Sequence, residues 1–116
     1  MSAAEGEYLN LLKLPEGTTW RQSKDDPKGV YEVVLRRHRD GSYSHLIRID
    51  AGVELKLPVV HEFYEEAYYI SGEMLNTKTM KRIKAGDYVF HSPGEVHGPF
   101  RCVKTCTILE FRYSKS

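Results

Sequence analysis

The sequence predicts an all-β barrel on three observations. From residue 51 onward, short runs rich in Val, Ile, Tyr, Phe and Thr are separated by Gly, Pro or Asn at intervals of roughly 8–12 residues, the pattern of a sandwich or barrel. No window sustains a 3.6-residue apolar period, so no long amphipathic helix competes. Aromatic residues are weighted toward strand formers, with eight Tyr and four Phe against one Trp. At 116 residues the chain is long enough for one buried core and too short for two, so residues 1–116 are read as a single domain.

The elements follow in order. Residues 8–14 hold one short apolar patch, which fits either a single helical turn or an edge strand. Residues 21–29 cluster charges and turn formers and read as a surface loop. A strand is expected over 30–37, then the Asp40-Gly41 turn, then a half-buried strand over 42–50, together a hairpin. Further strands are expected over 53–57, 66–71, 80–83, 87–91 and 105–113. Turns are placed at Ser71-Gly72, Asn76-Thr77, Ala85-Gly86 and Ser92-Pro93-Gly94. An antiparallel chain of this size must hide its sheet edges, by closing into a barrel or pairing with another subunit, and a homodimer is expected on that ground.

Composition excludes several partners. With 17 basic residues against 16 acidic ones the formal charge is +1, which gives no pull toward phosphate backbones, so no nucleic acid is expected. No apolar run approaches the roughly 20 residues that cross a bilayer, and residues 1–8 lack the basic and apolar regions of a signal peptide. The expectation is a cytoplasmic protein without a membrane partner. The tract 78–84 carries four positive charges without an aromatic platform and reads as a solvated hairpin. Cys102 and Cys106, at a spacing that matches no zinc motif, read as core thiols.

Two of the five histidines stand where nitrogen and oxygen donors meet, in His61-Glu62-Phe63-Tyr64-Glu65-Glu66 and in Pro93-Gly94-Glu95-Val96-His97. A tight connection into a strand aims His61 and Glu65 at one interior, and the Pro-Gly turn aims His97 into it. Two imidazoles and a carboxylate with open positions suit Fe(II), and also Zn, Mn, Ni or Co. Glu66 competes with Glu65 as the carboxylate, because neighbours on a strand face opposite ways and a slip of one residue exchanges them. His91 fits either the cavity or the barrel wall. His38 and His45 have no partnered motif and are expected in solvent or on a strand face. The Tyr68-Tyr69 pair reads mainly as strand and core.

These residues resemble the cupin motifs over about residues 52–111. The first motif runs glycine, His-x-His, three or four residues, Glu, six residues and a closing Gly. Here six residues separate Glu65 from Gly72 and three separate His61 from Glu65, so His61 falls on the second histidine. The first histidine position then falls on Val59, a departure from the pattern. The second motif is matched by Gly86-Asp87 and by Pro93-Gly94-Glu95-Val96-His97. The tail Gly98-Pro99-Phe100 and the last strand, Cys106 to Phe111, are similar to small single-domain cupins related to acetylacetone dioxygenase and to the zinc-binding cupin half of an anti-sigma factor.

The resemblance implies a cupin, or RmlC-like, double-stranded β-helix (jelly-roll) barrel holding one divalent metal ion on His61, Glu65 and His97, with Fe(II) preferred. It implies a metal-dependent enzyme on a small organic molecule, most concretely dioxygenase-type C–C cleavage of a dicarbonyl or enolisable compound. Two other readings stay open. One is a metal- or ligand-binding sensor without turnover; the other is a metal-dependent isomerase or lyase in which Glu66 or a tyrosine such as Tyr69 moves a proton.

Overall fold

The computed structural model describes residues 6–56 and 59–114. Its strands are β1 (Arg21–Gln22), β2 (Val30–Arg37), β3 (Tyr43–Ile49), β4 (Glu54–Leu55), β5 (Val59–Val60), β6 (Tyr64–Asn76), β7 (Arg82–Lys84), β8 (Tyr88–His91), β9 (Val96–His97) and β10 (Phe100–Tyr113). Among the described residues there is no helix, in keeping with the missing 3.6-residue period. The expected 30–37 and 42–50 hairpin is present, closed by a His38 to Gly41 turn with Asp40 Oδ1 accepting from the Ser42 amide at 2.8 Å. Leu57, the end of the expected 53–57 run, lies outside the described residues.

Two long strands form the spine. β6 and β10 run antiparallel from Tyr64↔Tyr113 to Asn76↔Phe100. Each changes its outer neighbour part-way: β10 pairs with β4 and then β3, while β6 pairs with β8 and then β7. The large sheet has the order β1-β2-β3-β10-β6-β7, and β5 with β9 forms a second, two-stranded sheet.

The spine corrects one expected turn. Ser71-Gly72 does not end a strand; it lies inside β6, where the β10 register shifts between Cys102 and Ile108. Gly72 has φ +92°, and a Cβ there would stand 2.4 Å from the Thr105 carbonyl oxygen. The glycine is a bulge position against a neighbouring backbone rather than a turn.

The main core joins Val30, Ile47, Ile49, Ala67, Tyr69, Met74 and Ile108 to the free, buried thiols of Cys102 and Cys106. A smaller cluster of Val33, Leu35 and Leu46 is covered by Leu9, Leu11, Leu14 and Trp20. The 8–14 patch is therefore neither helical turn nor edge strand. It is an irregular cover with a turn in which the Lys13 amide donates to the Asn10 carbonyl at 3.2 Å and Asn10 Oδ1 accepts from the Leu12 amide at 2.9 Å. The tract 78–84 is largely exposed, as expected of a solvated hairpin, with Arg82 paired to Glu73.

Candidate metal centre

Strand alternation decides which acidic residue enters the barrel. Along β6, Glu65, Ala67 and Tyr69 are buried, and Tyr64 and Tyr68 are exposed. Glu65 is 3% exposed. Glu66 faces outward, accepting from the Tyr88 and Tyr113 hydroxyls at 2.6 Å each, and those bonds hold its carboxyl below the ordinary range. The choice between the two glutamates thus falls on Glu65. The proton-moving role expected of Glu66 is unavailable to it, because the period of two places it outside the cavity.

His61 precedes β6 and His97 ends β9. The two segments are tied together where the Gly94 amide donates to the His61 carbonyl at 2.8 Å. His61, Glu65 and His97 each offer one donor atom, and these atoms lie within 4.8 Å of one another. His61 Nε2 is 3.7 Å from Glu65 Oε2. His91 joins from β8 as a wall of the same cavity: its ring stacks on His97 at 3.8 Å, and its Nδ1 meets the Glu95 carboxylate. Phe63 stacks on His61 at 4.4 Å between centroids.

The donor set fits a divalent cation. His97 Nε2 is buried without a hydrogen-bond partner among the described residues, which is costly for an imidazole nitrogen unless another group takes the lone pair. Burial, with His91 and His61 adding to it, depresses the His97 pKa to about 4, and burial followed by the Arg112 charge lowers that of His61. Both rings are therefore held in the neutral form that coordinates metal. Burial and the nearby Glu110 charge push Glu65 up to about 7, against the opposing pull of Arg112 and His45. A cation at the site reverses that cost.

Behind the cluster opens a cavity of about 1190 Å³. Ile47, Met74, Val89 and Phe100 give it apolar wall, and Tyr69 lines it with a hydroxyl whose pKa burial drives far upward. A polar row also lines the cavity and reaches the cluster through Arg112. His45, expected in solvent or on a strand face, is 1% exposed, with Nδ1 2.7 Å from Glu32 Oε2 and Nε2 2.8 Å from Glu110 Oε1. Arg112 donates to Glu65 Oε2 at 3.0 Å and to the Tyr43 hydroxyl at 2.8 Å. Glu32, Glu110 and Arg112 were not among the expected site residues. The signal for Glu110 and Arg112 lies in β10, where the inward alternation Cys106, Ile108 continues into these two charges in core register, whereas Glu32 stands on β2.

The family model described as the ChrR Cupin-like domain matches residues 10–114, nearly the whole chain. The chain belongs to this family of cupins. Among curated proteins no relative matches. Solved cupin structures share the fold. An acetylacetone dioxygenase from Acinetobacter johnsonii superposes with a TM-score of 0.72 at 17% identity, covering 91% of this chain and 72% of that one. The anti-sigma factor ChrR, solved in complex with SigE of Rhodobacter sphaeroides, gives 0.69 at 18% identity over 89% of this chain and 54% of the other. An RmlC-like cupin from Shewanella frigidimarina gives 0.65 at 21% identity over 95% and 94%. The architecture is thus the jelly-roll of the RmlC-like cupins.

Proposed function

We propose that this cupin is a metal-dependent enzyme acting on a small organic molecule, with Fe(II)-dependent C–C cleavage of a dicarbonyl or other enolisable compound as its most concrete form. One observation carries the reading: His61, Glu65 and His97 converge within 4.8 Å, with a buried, partnerless His97 nitrogen, at a cavity large enough for a small substrate. Two imidazoles and one carboxylate are the donor set of non-haem Fe(II) oxygenases, and zinc, manganese, nickel or cobalt also suit it. A metal ion held there supplies Lewis acidity, and iron adds one-electron chemistry toward dioxygen. The protein's own contribution is a partly apolar pocket, with Arg112 holding the Glu65 carboxylate in place.

Elemental analysis of the purified protein tests this. About one divalent ion per chain is expected, most of it lost in His61→Ala and in His97→Ala and retained in His38→Ala, whose site is exposed. Equal metal content in all three variants would remove the assignment. Iron with oxygen uptake on a β-diketone supports the cleavage reading, and turnover without oxygen supports an isomerase or lyase.

The match to the ChrR Cupin-like family favours a second reading, a metal-binding sensor. Zinc bound without turnover of any carbonyl compound would select it.

A further inference from the structure

His45 is bonded on both sides. Nδ1 lies 2.7 Å from Glu32 and Nε2 lies 2.8 Å from Glu110. A neutral imidazole carries one N–H and one lone pair, so with two ionised carboxylates one of these contacts would set lone pair against lone pair. Two protons are needed for two hydrogen bonds. If both contacts are hydrogen bonds, the three side chains hold one proton more than a neutral histidine between two carboxylates, as an imidazolium between carboxylates or as a neutral imidazole with one carboxylic acid, with a net charge of −1 in either case.

The strands explain why the group is built this way. His45 on β3 is the direct cross-strand partner of Glu110 on β10, and Glu32 comes from β2 on the other side. All three line the same cavity as the metal cluster. The charged and titratable groups around them are Arg112, 3.5 Å from Glu110 and joined to Tyr43; Glu65, on the far side of Arg112; His61 and Tyr69, which interact with the Glu110 charge across the cavity; and Arg21, 3.5 Å from Glu32 at the surface. No other proton carrier expected from the sequence serves the cavity as well: Glu66 lies outside it, and the Tyr69 hydroxyl keeps its proton at neutral pH.

We propose that Glu32, His45 and Glu110 form a triad that holds a proton at neutral pH and exchanges it with substrates that lose or gain hydrogen beside a carbonyl. The transfer part rests on the enzyme reading above. In the step, the substrate C–H bond breaks, its proton passes to the Glu110 carboxylate, and its electron pair stays on the substrate as an enolate. The triad changes from net charge −1 to neutral. Return of the proton to the enolate carbon or oxygen restores it, so no oxidant or reductant is consumed.

Two measurements on the full chain with its metal decide the matter. The first is substrate-free NMR of histidine ¹⁵N and glutamate ¹³C nuclei at pH 8, well above the ordinary histidine pKa of about 6.5. Either a doubly protonated His45 ring or a protonated Glu32 or Glu110 carboxyl is expected, and a singly protonated ring between two ionised carboxylates overturns the triad.

The second is hydrogen–deuterium exchange at the central carbon of pentane-2,4-dione in D₂O without oxygen. Glu110→Gln and His45→Gln should slow protein-catalysed exchange by about 10²-fold or more while metal content and circular dichroism stay unchanged. Exchange at the wild-type rate in both metal-loaded variants overturns the transfer role. Should His45→Gln fail to fold, Glu32→Gln takes its place with the same expectation. A wild-type protein that binds metal yet neither exchanges nor turns over any carbonyl compound overturns the enzyme reading instead, and the NMR result then stands or falls by itself.

Discussion

Glu65 and His97 pull the pH dependence of this protein in opposite directions. His97 falls from its ordinary 6.5 to about 4 in the fold, so its contribution to stability is present above 6.5 and is lost as pH drops toward 4. Glu65 rises from 4.5 to about 7, so its contribution is present below 4.5 and is lost as pH climbs through 7. Between about 4.5 and 6.5 these two slopes offset each other, and His61, lowered as well, leaves a net rise with pH. Metal-free protein should show a melting temperature that climbs gently toward pH 6.5 and falls above it as Glu65 ionises. Metal changes the balance, since a bound cation keeps Glu65 ionised, and metal affinity should rise with pH up to about 7 and then level. Calorimetric titration at pH 5.5, 6.5 and 7.5 checks this, and an affinity independent of pH would exclude Glu65 as a ligand. The convergence of His61, Glu65 and His97 was legible in the sequence because motif spacing reports where the backbone turns. Glu32, His45 and Glu110 were not, because they meet only through strand pairing across separations that local pattern does not encode.

At the level of elements, the hairpin of β2 and β3 and the run of short strands were readable from alternation and from Asp40-Gly41, whereas Gly72 was misplaced. A glycine after a serine inside a β-prone segment looks the same whether the chain turns or bulges, and only the approach of β10 decides. Gly72→Ala should therefore destabilise the fold by more than about 1 kcal/mol, since the methyl group meets backbone and the residue keeps φ +92°. Urea unfolding measures it, and an unchanged midpoint would argue against the bulge. The outer face of β8, β6 and β10 was also unreadable as a surface before the strands were paired. Tyr64, Tyr68, Tyr88, Phe90, Phe111 and Tyr113 are 38–58% exposed there, roughly 400–700 Å² of aromatic area gathered around Glu66. A patch of that size approaches the roughly 800 Å² per partner of a stable interface. It is the face expected to bury the homodimer contact. Phe111→Glu should lower the sedimentation mass toward that of one chain without changing metal content.

Considered as a whole, the molecule places its candidate metal ligands where its two sheets meet. Glu65 belongs to the large sheet, His97 to the small β5-β9 sheet, and His61 to the connection between them. The small sheet is paired only through Val59↔His97 and Val60↔Val96, two positions against the eleven that join β6 to β10. So short a ladder contributes little by itself. A cation on His61, Glu65 and His97 would fasten it to the spine, and the binding free energy becomes folding free energy. Metal at about 100 times its dissociation constant should therefore add roughly 2.7 kcal/mol to global stability. The added protection should be uneven. Hydrogen exchange should slow most at the amides of Val60, Val96 and His97, and little at Leu46 or Ile108, which lie in the buried clusters of the large sheet. Uniform protection across both sheets, or none, would mean that the ion does not bridge them.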